Sequence, residues 1–534
     1  MHEWGWLTGS AVLTGLAFAP VGWWWTLLFA PALWLAWLRG GAGRRNAWRG
    51  FWWMLVYGAT VSWHAAPIFA QQARAEWLGG VAWVLALLWF GLWGALFGGL
   101  TGVLRLQGWG WVLFVASGWV LVQWVRSLGA LGFPWAMLSL GLARAPLFLQ
   151  PAELGGVWLV EWLLLVWNGG LVLMWQTQSR SALWGLGSIG VLWVGFGAWG
   201  LVRCRSAPAM PMLVAVVQHQ AETPLKVFAP AIFDEQVSQW LQQASQQGAR
   251  WAVFAEVAEP YTLTASVEST ASGRLTRWRQ WATQHRLCLL VGARRFDGRD
   301  YNSALGVAPR GDYACYDKVK LMAFVEWSPP EPFRRLLQGL GVAKCSLQAG
   351  KRGCALRVGQ EPPVGALLCV ESLFGWVARE QVRTGAQWLA VMANDAWLIG
   401  DAVRQQYADF CVVRAIETRR WIARASSVGV SGFYAPTGEL VASLPMGKPG
   451  VLVYPITPRT EQTLYVRWGD WWVYVCLAVV GVLGLVHRAG FGAIAPCCGW
   501  FNGIERLESR NRCSIGESNV RRGDDACLAV RLAH

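Results

Sequence analysis

Residues 365–380 read Gly-Ala-Leu-Leu-Cys-Val-Glu-Ser-Leu-Phe-Gly-Trp-Val-Ala-Arg-Glu. Ala366–Cys369 is a short apolar run of the length a buried strand needs. Glu371–Glu380 then mixes polar and apolar residues at helical spacing, so the chain passes from strand to helix at Cys369. The carboxyl end of a strand is where open α/β sheets gather their functional groups.

Similar runs recur on both sides. Met212–Val217, Trp251–Ala255, Cys288–Gly292 and Trp388–Met392 are short, apolar and bounded by polar or glycine signals, as strands are. Phe233–Gln247 and Gln405–Arg420 read as helices, the second with Phe410, Val413 and Ile416 at intervals of three. Strands alternating with helices predict a layered α/β domain over residues 203–470. No glycine-rich phosphate loop opens a helix, and no Cys or His pair has zinc spacing. The 6 His are dispersed, so neither a metal, a cofactor nor a His-dependent triad is expected.

Two more chemistry-bearing residues end strand-like runs. Glu256 closes Trp-Ala-Val-Phe-Ala-Glu, and Lys318 follows Tyr313–Tyr316. Singly, each has an ordinary reading: a strand-end Cys is commonly a small buried hydrophobe, and a Glu or Lys is commonly solvated. Together they make an acyl-transfer set. A thiol is mostly protonated at neutral pH and needs a base. A carboxylate in a partly dry cleft can be that base and later protonate the leaving group. An ammonium beside the reacting carbonyl stabilises the oxyanion.

The chain around this domain is of another kind. Charged residues are 14% of the sequence and apolar residues 55%, where a soluble domain carries about 25% charge. From Gly5 to Val202 almost everything is apolar. A helix needs about 20 apolar residues to cross a bilayer, and spans are predicted near 5–19, 21–38, 50–70, 79–104, 109–126, 154–176, 183–202 and 471–487. The expected organisation is membrane helices one to seven over 1–202, a domain over 203–470, an eighth membrane helix over 471–487, and a basic, disordered tail over 488–534. The first apolar stretch runs on into further spans, so no cleavable signal peptide is expected.

Short-loop cations set orientation. Arg39, Arg44, Arg45 and Arg49 join spans two and three, Arg105 joins four and five, and Arg180 joins six and seven. The opposite loops are poorer, with Arg74, Arg126 and Arg144. This predicts a cytoplasmic N-terminus and an external 203–470 domain. The net charge of +15 then belongs to loops and tail facing anionic lipid, and nucleic acid is not expected as a partner. His64, Gln123, Glu161 and Asn168 lie at or between the spans, where polar groups either hydrogen-bond neighbouring helices or serve function. The 40 Trp exceed what interfacial belts require.

An ordered series of motifs makes a resemblance. Trp119…Trp124-Val-Arg126 and Gly-Phe-Pro-Trp (132–135) come first, then Val217-Gln218 and Lys226. Next are Phe254-Ala-Glu256 and Tyr316-Asp-Lys318-Val-Lys-Leu-Met-Ala-Phe-Val-Glu326. Cys369-Val-Glu371, Asn394-Asp-Ala-Trp397, Arg414-Ala-Ile-Glu417 and Thr463-x-Tyr465-x-Arg467-x-Gly469-Asp470 close the series. Over residues 1–487 the chain resembles the apolipoprotein N-acyltransferase family, a membrane-embedded branch of the nitrilase superfamily. The resemblance implies a multi-pass α-helical membrane domain of about eight spans plus an extracytoplasmic, nitrilase-like α-β-β-α sandwich, on the periplasmic side of the inner membrane. It implies that Cys369 takes an acyl group from a phospholipid, preferentially phosphatidylethanolamine, as a thioester and passes it to the N-terminal amine of a diacylglyceryl-cysteine apolipoprotein. It also implies Glu256 as base, Lys318 as oxyanion stabiliser, Glu326 and Glu371 as supporting carboxylates, and Asn394 and Trp397 as substrate-lining residues.

The sequence departs from the family pattern at several places. Ala255, Ala323, Val325 and Val370 replace Pro, Pro, Gly and Tyr, Val227 replaces Trp, and Tyr407 stands where the family often has His. A valine at 325 is costly if the glycine served a positive φ. These departures keep a weakened homologue in view beside the active enzyme. A membrane-anchored amide hydrolase with the same residues and a transporter with an outer domain are the other readings. Seven helices before the domain are more than an anchored hydrolase needs, and no repeat symmetry suggests a transporter. Cys288, Cys315, Cys345, Cys354 and Cys411 share the domain with the nucleophile, and a Cys345–Cys354 pairing stays open. Cys497, Cys498, Cys513 and Cys527 lie in the tail without a zinc pattern.

Overall fold

The computed structural model describes residues 2–72, 76–104, 106–205, 210–219, 230–264, 273–327, 331, 333–339, 347–351 and 353–489. Arg74, Arg105, Lys226, Val227 and Cys345 lie outside the described residues, as does the expected tail from 490 onward.

The N-terminal half is helical. Its helices are α1 (His2–Gly15), α2 (Ala30–Leu38), α3 (Gly43–Ser62), α4 (Ala65–Gln72), α5 (Glu76–Thr101), α6 (Gly108–Ser127), α7 (Pro146–Leu149), α8 (Ala152–Thr177) and α9 (Arg180–Arg205). Among the described residues, five helices are long and apolar enough to cross a membrane: α5, α6, α8, α9 and the later Trp471–Arg488. They correspond to five of the eight expected spans. The first three expected spans take another form. Span one is a 14-residue helix. Span two divides into a short 3-10 turn, Trp24–Leu28, and the nine-residue α2, whose first turn holds Pro31, where proline lacks no needed N–H. Span three starts earlier than its apolar run, because Arg45 and Arg49 in α3 pair with Glu3 of α1.

Close packing of α3 on α5 uses glycine. A Cβ on Gly50 would lie 2.0 Å from the Gly94 carbonyl oxygen, and one on Gly98 would lie 2.0 Å from that of Asn46. Small residues let two helix backbones touch where burying apolar surface gains little. Many mid-span tryptophans fill the interior of the bundle. Trp34 stacks on Trp53 at 4.1 Å between centroids, and the Trp53 indole donates to Ser10 Oγ at 3.0 Å. Large rings fill the core, and some of their N–H groups, as at Trp53 and Trp119, find partners between helices. The polar residues at the spans do the same. Glu161 accepts from the Trp119 indole and from Ser139 N, both at 2.6 Å. Asn168 accepts from Ala32 N and donates to Leu27 O, and Gln123 accepts from Arg126. His64 is buried.

The second half is a sandwich. In chain order its elements are β1 (Met212–Gln218), α10 (Pro230–Gln246), β2 (Trp251–Val253), β3 (Glu259–Thr264), α11 (Gly273–His285), β4 (Cys288–Phe296), β5 (Asp300–Val307), β6 (Tyr313–Asp317) and α12 (Phe333–Gly339). There follow β7 (Val364–Leu368), α13 (Gly375–Arg383), β8 (Trp388–Ala393), α14 (Asp401–Thr418), β9 (Ile422–Ser426), β10 (Gly432–Tyr434), β11 (Leu440–Ser443), β12 (Gly450–Ile456), α15 (Leu464–Trp468) and α16 (Trp471–Arg488). Among the described residues, one sheet has seven strands in the order β12-β1-β2-β4-β5-β6, with β3 also on β4. The other has five, in the order β11-β10-β9-β8-β7. Val214, Val216, Trp251 and Leu290 of the first sheet meet Ala366, Leu368, Trp388 and Met392 of the second in one buried core. The outer face of the first sheet carries α10 and α11 through Phe233, Leu241 and Trp278. The outer face of the second carries α13 and α14, in a core that continues into the membrane helices. Alternating inward and outward strand residues therefore give four layers, α-β-β-α.

The helix expected at Glu371–Glu380 is divided. A 3-10 turn spans Cys369–Leu373 and α13 starts at Gly375, with Phe374 extended between them. The reason is Glu371, whose carboxylate is engaged by surrounding backbone groups and fixes the tighter turn.

Candidate active site

Glu256 stands just beyond β2, Lys318 directly after β6, and Cys369 directly after β7. Pairing through β4 and β5 sets the ends of β2 and β6 in one sheet, and the packing of the second sheet on the first brings the end of β7 to them. The Lys318 ammonium donates to Glu256 Oε1 and to Glu326, each at 2.9 Å. Asn302, on β5, donates its amide to the same two carboxylates at 2.8 Å. Met322 N binds the other Glu326 oxygen at 2.8 Å. Two carboxylates thus share one cation and one amide, and all four side chains are buried.

The charges decide who holds protons. Burial works against the Lys318 ammonium, but the carboxylates of Glu256 and Glu326 outweigh it and hold its pKa well above the usual lysine range. Burial likewise opposes ionisation of Glu326, and Lys318 with the Met322 N–H overcomes it, leaving Glu326 below the ordinary carboxylate value. Glu326 therefore stays anionic and keeps Lys318 charged. Cys369 is raised well above a normal thiol, first by burial and then by Glu256, against the opposing pull of Lys318 and a hydrogen bond from Tyr407. The fields of both charged groups reach the sulfur, and a resting neutral thiol follows.

Glu371 organises the third corner. Its Oε1 accepts from the Tyr316 hydroxyl at 2.8 Å, Val319 N at 2.7 Å and Lys320 N at 3.1 Å, and its Oε2 accepts from Leu368 N at 2.9 Å. One carboxylate therefore ties the lysine-bearing segment to the cysteine-bearing turn. Burial raises it to about 7. Asn394 N lies 3.4 Å from Glu256 Oε2, and the Asn394 side chain accepts from Ser427 Oγ at 3.0 Å. Asp395, next in sequence, is buried against Arg424 at 2.8 Å and Ser426 at 2.7 Å, which pins the loop. Trp397 is half-buried on the same loop.

Backbone strain collects here. Val257, Phe324 and Cys369 have φ of 53°, 67° and 50°, each at or within two residues of Glu256, Glu326 or the thiol. Positive φ costs such residues about 1–3 kcal/mol and persists only where the surroundings impose it. The positive φ near Glu326 falls at Phe324, and Val325 is absent from the strained set, so the replacement of glycine by valine costs little there.

All the residues singled out for chemistry meet around this centre, with Trp397 at its edge. Sequence reading missed Asn302, Tyr316 and Asp395 as members. The catalytic domain also touches the helical block here: Lys320 donates to Gly129 O at 2.7 Å and Ala130 O at 3.2 Å, and Trp135 of the Gly-Phe-Pro-Trp motif packs on Tyr407 at 5.8 Å. Among the described residues no group of three or more His, Cys, Asp or Glu could hold a metal, and Cys354 is a free thiol.

Comparison with known proteins adds the family. Residues 10–170 match the apolipoprotein N-acyltransferase N-terminal domain, and residues 213–465 match the carbon-nitrogen hydrolase domain. The apolipoprotein N-acyltransferase of Methylococcus capsulatus is 28% identical over 495 residues, covering 89% of this chain and 94% of that one. That of Vibrio vulnificus is 27% identical over 493 residues, covering 88% and 93%. That of Gloeobacter violaceus is 28% identical over 505 residues, covering 90% and 92%. Among solved structures, an amidase from Nesterenkonia sp. aligns at 20% identity and a TM-score of 0.38, covering 50% of this chain and 97% of that one. With both domain types matched in order along one chain, and with relatives of nearly equal extent, the protein belongs to the apolipoprotein N-acyltransferase family.

Proposed function

We propose that this enzyme transfers a fatty acyl group from a phospholipid, through a thioester on Cys369, to the N-terminal amine of a diacylglyceryl-cysteine apolipoprotein. The observation that carries the reading is the shared ammonium: Lys318 bonds Glu256 and Glu326 at 2.9 Å while its charge acts on the Cys369 thiol.

In the first half-reaction Glu256 takes the Sγ proton and the thiolate attacks the ester carbonyl. The oxyanion that forms faces Lys318, whose proton is secured by Glu326. Glu256 returns its proton to the departing glycerol oxygen, and lysophospholipid leaves. In the second, the acceptor amine attacks the thioester, Glu256 takes a proton from the amine, the thiolate departs as the amide forms, and Glu256 returns that proton to Cys369 Sγ. Glu371 holds the lysine and cysteine segments in register, and the Asn394–Trp397 loop lines the mouth.

Membrane helices suit these substrates. Each lipid methylene left in the bilayer is worth about 0.8 kcal/mol, so a site fixed at the surface avoids extracting a whole chain. Cys369 retains only 4% exposure, which protects a thioester from water and requires a neighbouring side chain to yield when lipid enters. The charge pattern of the loops favours a catalytic domain on the periplasmic face of the inner membrane.

The test is mass spectrometry of the full-length protein after incubation with phospholipid. An acyl adduct on Cys369, released by hydroxylamine and absent in Cys369→Ala, is expected. Adding a diacylated lipopeptide should then give N-acylated peptide. Free fatty acid without N-acylated peptide would make the chain a hydrolase, and no adduct would reject the mechanism.

A further inference from the structure

Among the described residues, the one side-chain hydrogen bond made by Cys369 Sγ is to the Tyr407 hydroxyl, at 3.4 Å. Glu256 and Lys318 act on the sulfur through their charge. Tyr407 lies on α14, is buried to 2% exposure, and packs its ring on Trp135. Trp135 belongs to the loop after α6, where Arg126 donates to Phe133 O at 3.0 Å and to Trp135 O at 2.9 Å. The hydroxyl is therefore held against the sulfur from the side of the membrane block.

We infer that Tyr407 is a further catalytic residue, whose O–H donates a hydrogen bond to the Cys369 thiolate each time that thiolate exists. This goes beyond the proposed acyl transfer while resting on it for the identity of the nucleophile. In the resting enzyme the sulfur is a thiol, and the 3.4 Å contact runs between two neutral groups. When Glu256 removes the thiol proton, a full negative charge appears in a buried place. Lys318 offsets part of it at a distance. The Tyr407 O–H offsets more by direct contact, since hydrogen bonds to charged groups are the strong ones. The tyrosine keeps its own proton throughout, because burial, followed by the neighbouring thiolate, pushes its ionisation well above the usual phenol range. Glu256 is thus the group that moves protons, and Tyr407 only donates.

The bond acts twice. It eases formation of the thiolate before attack on the ester, and it eases departure of the thiolate when the amine displaces it from the thioester. A residue that merely packed against the site would not lower the thiol pKa.

The experiment uses the full chain in detergent. The rate of carboxamidomethylation at Cys369 by iodoacetamide is followed against pH by peptide-resolved mass spectrometry, for the wild type, Tyr407→Phe and Tyr407→His. Tyr407→Phe should raise the apparent thiol pKa by about one unit or more, and slow acyl-enzyme formation and acyl transfer each by about 10- to 100-fold. Tyr407→His, which keeps a ring N–H donor, should recover most of the thiol pKa. An unchanged thiol pKa in folded Tyr407→Phe overturns the inference, and so do equal shifts in Phe and His variants, which would make the role one of packing. Should Tyr407→Phe fail to fold, a wild-type-like thiol pKa in Tyr407→Met, which fills space but carries no N–H or O–H donor, overturns it, and an elevated one supports it. Failure of the wild type to form any acyl adduct would instead defeat the acyl-transfer reading and leave the alkylation result standing.

Discussion

The Glu417 carboxylate accepts the backbone N–H of Val157 at 2.8 Å, where the long membrane helix α8 is broken by non-helical Gly155 and Gly156. The break creates a second helix N-terminus, and an anion from the catalytic domain satisfies it. Arg414 lies 3.0 Å from the same carboxylate and donates to Leu373 O at the end of the cysteine turn. Glu417→Ala strands a buried guanidinium and an N–H together. A loss of about 3–5 kcal/mol is expected, seen as a lower unfolding midpoint in detergent. Glu417→Gln, which keeps an acceptor, should lose less. Equal midpoints for wild type and Glu417→Ala would remove this contact from the account of the seam.

Glu371 predicts an acid-side dependence of stability. Its folded pKa is raised by burial to about 7 from a reference of 4.5. Between those values the folded protein holds a proton that the unfolded chain has released, so stability from this residue falls as pH rises from about 4.5 to 7. Glu371→Gln cannot titrate. It also sets an amide NH2 against four N–H and O–H donors, so it should be less stable throughout. The gap between wild type and variant should be widest near pH 4.5 and narrow towards pH 7. Unfolding midpoints across that range check it, and a gap that widens with pH is the contrary result.

Part of this site can be read from local sequence, and the boundary is physical. Glu256, Lys318 and Cys369 each follow a short apolar run, and a strand's length and burial are local properties. Asn302 is different. It binds Glu256 and Glu326, 46 and 24 residues away, and those contacts exist only after β5 pairs with β4 and β6. The turn at Cys369–Leu373 escapes periodicity for the same reason, since its cause is a carboxylate reaching back to Val319 N on another segment. In the membrane block, hydropathy finds α5, α6, α8, α9 and α16, whereas α1 to α4 depend on Pro20, Pro31 and the Glu3–Arg49 pair, which an apolar count passes over.

Lys320 predicts the opposite slope on the alkaline side. Its ammonium is packed against two carbonyl oxygens and the Phe374 ring, at 4.7 Å, none of which carries a full negative charge. Burial lowers it from 10.5 to about 8. Between those values the unfolded chain holds a proton that the folded protein has lost, so stability from this residue rises as pH rises from about 8 to 10.5. In Lys320→Met that rise should vanish. Comparing midpoints of the two proteins at pH 7.5 and 9.5 tests it, and a constant difference between them would show that Lys320 does not titrate in this window.

Gly292 on β4 sets the position of the base without touching any charge. A Cβ there would lie 2.5 Å from Ala255 O, 2.6 Å from Glu256 Cα and 2.7 Å from Val257 N. All three are backbone atoms in a segment already held at positive φ by Val257, so no flexible side chain can move aside. Gly292→Ala must therefore displace the Glu256 backbone, and with it a carboxylate now 2.9 Å from Lys318. Misplacing a catalytic group by about 1 Å can cost about 100-fold in rate. Acyl-enzyme formation should drop on that scale, with a smaller effect on thermal stability than Glu417→Ala. The neighbouring Gly298, whose added Cβ would meet nothing within 4 Å, is the control for β4 and its turn. Its positive φ of 69° makes Gly298→Asn, which tolerates that conformation, the proper substitution. Near-normal acylation in Gly292→Ala would mean that the base is not held by this close approach.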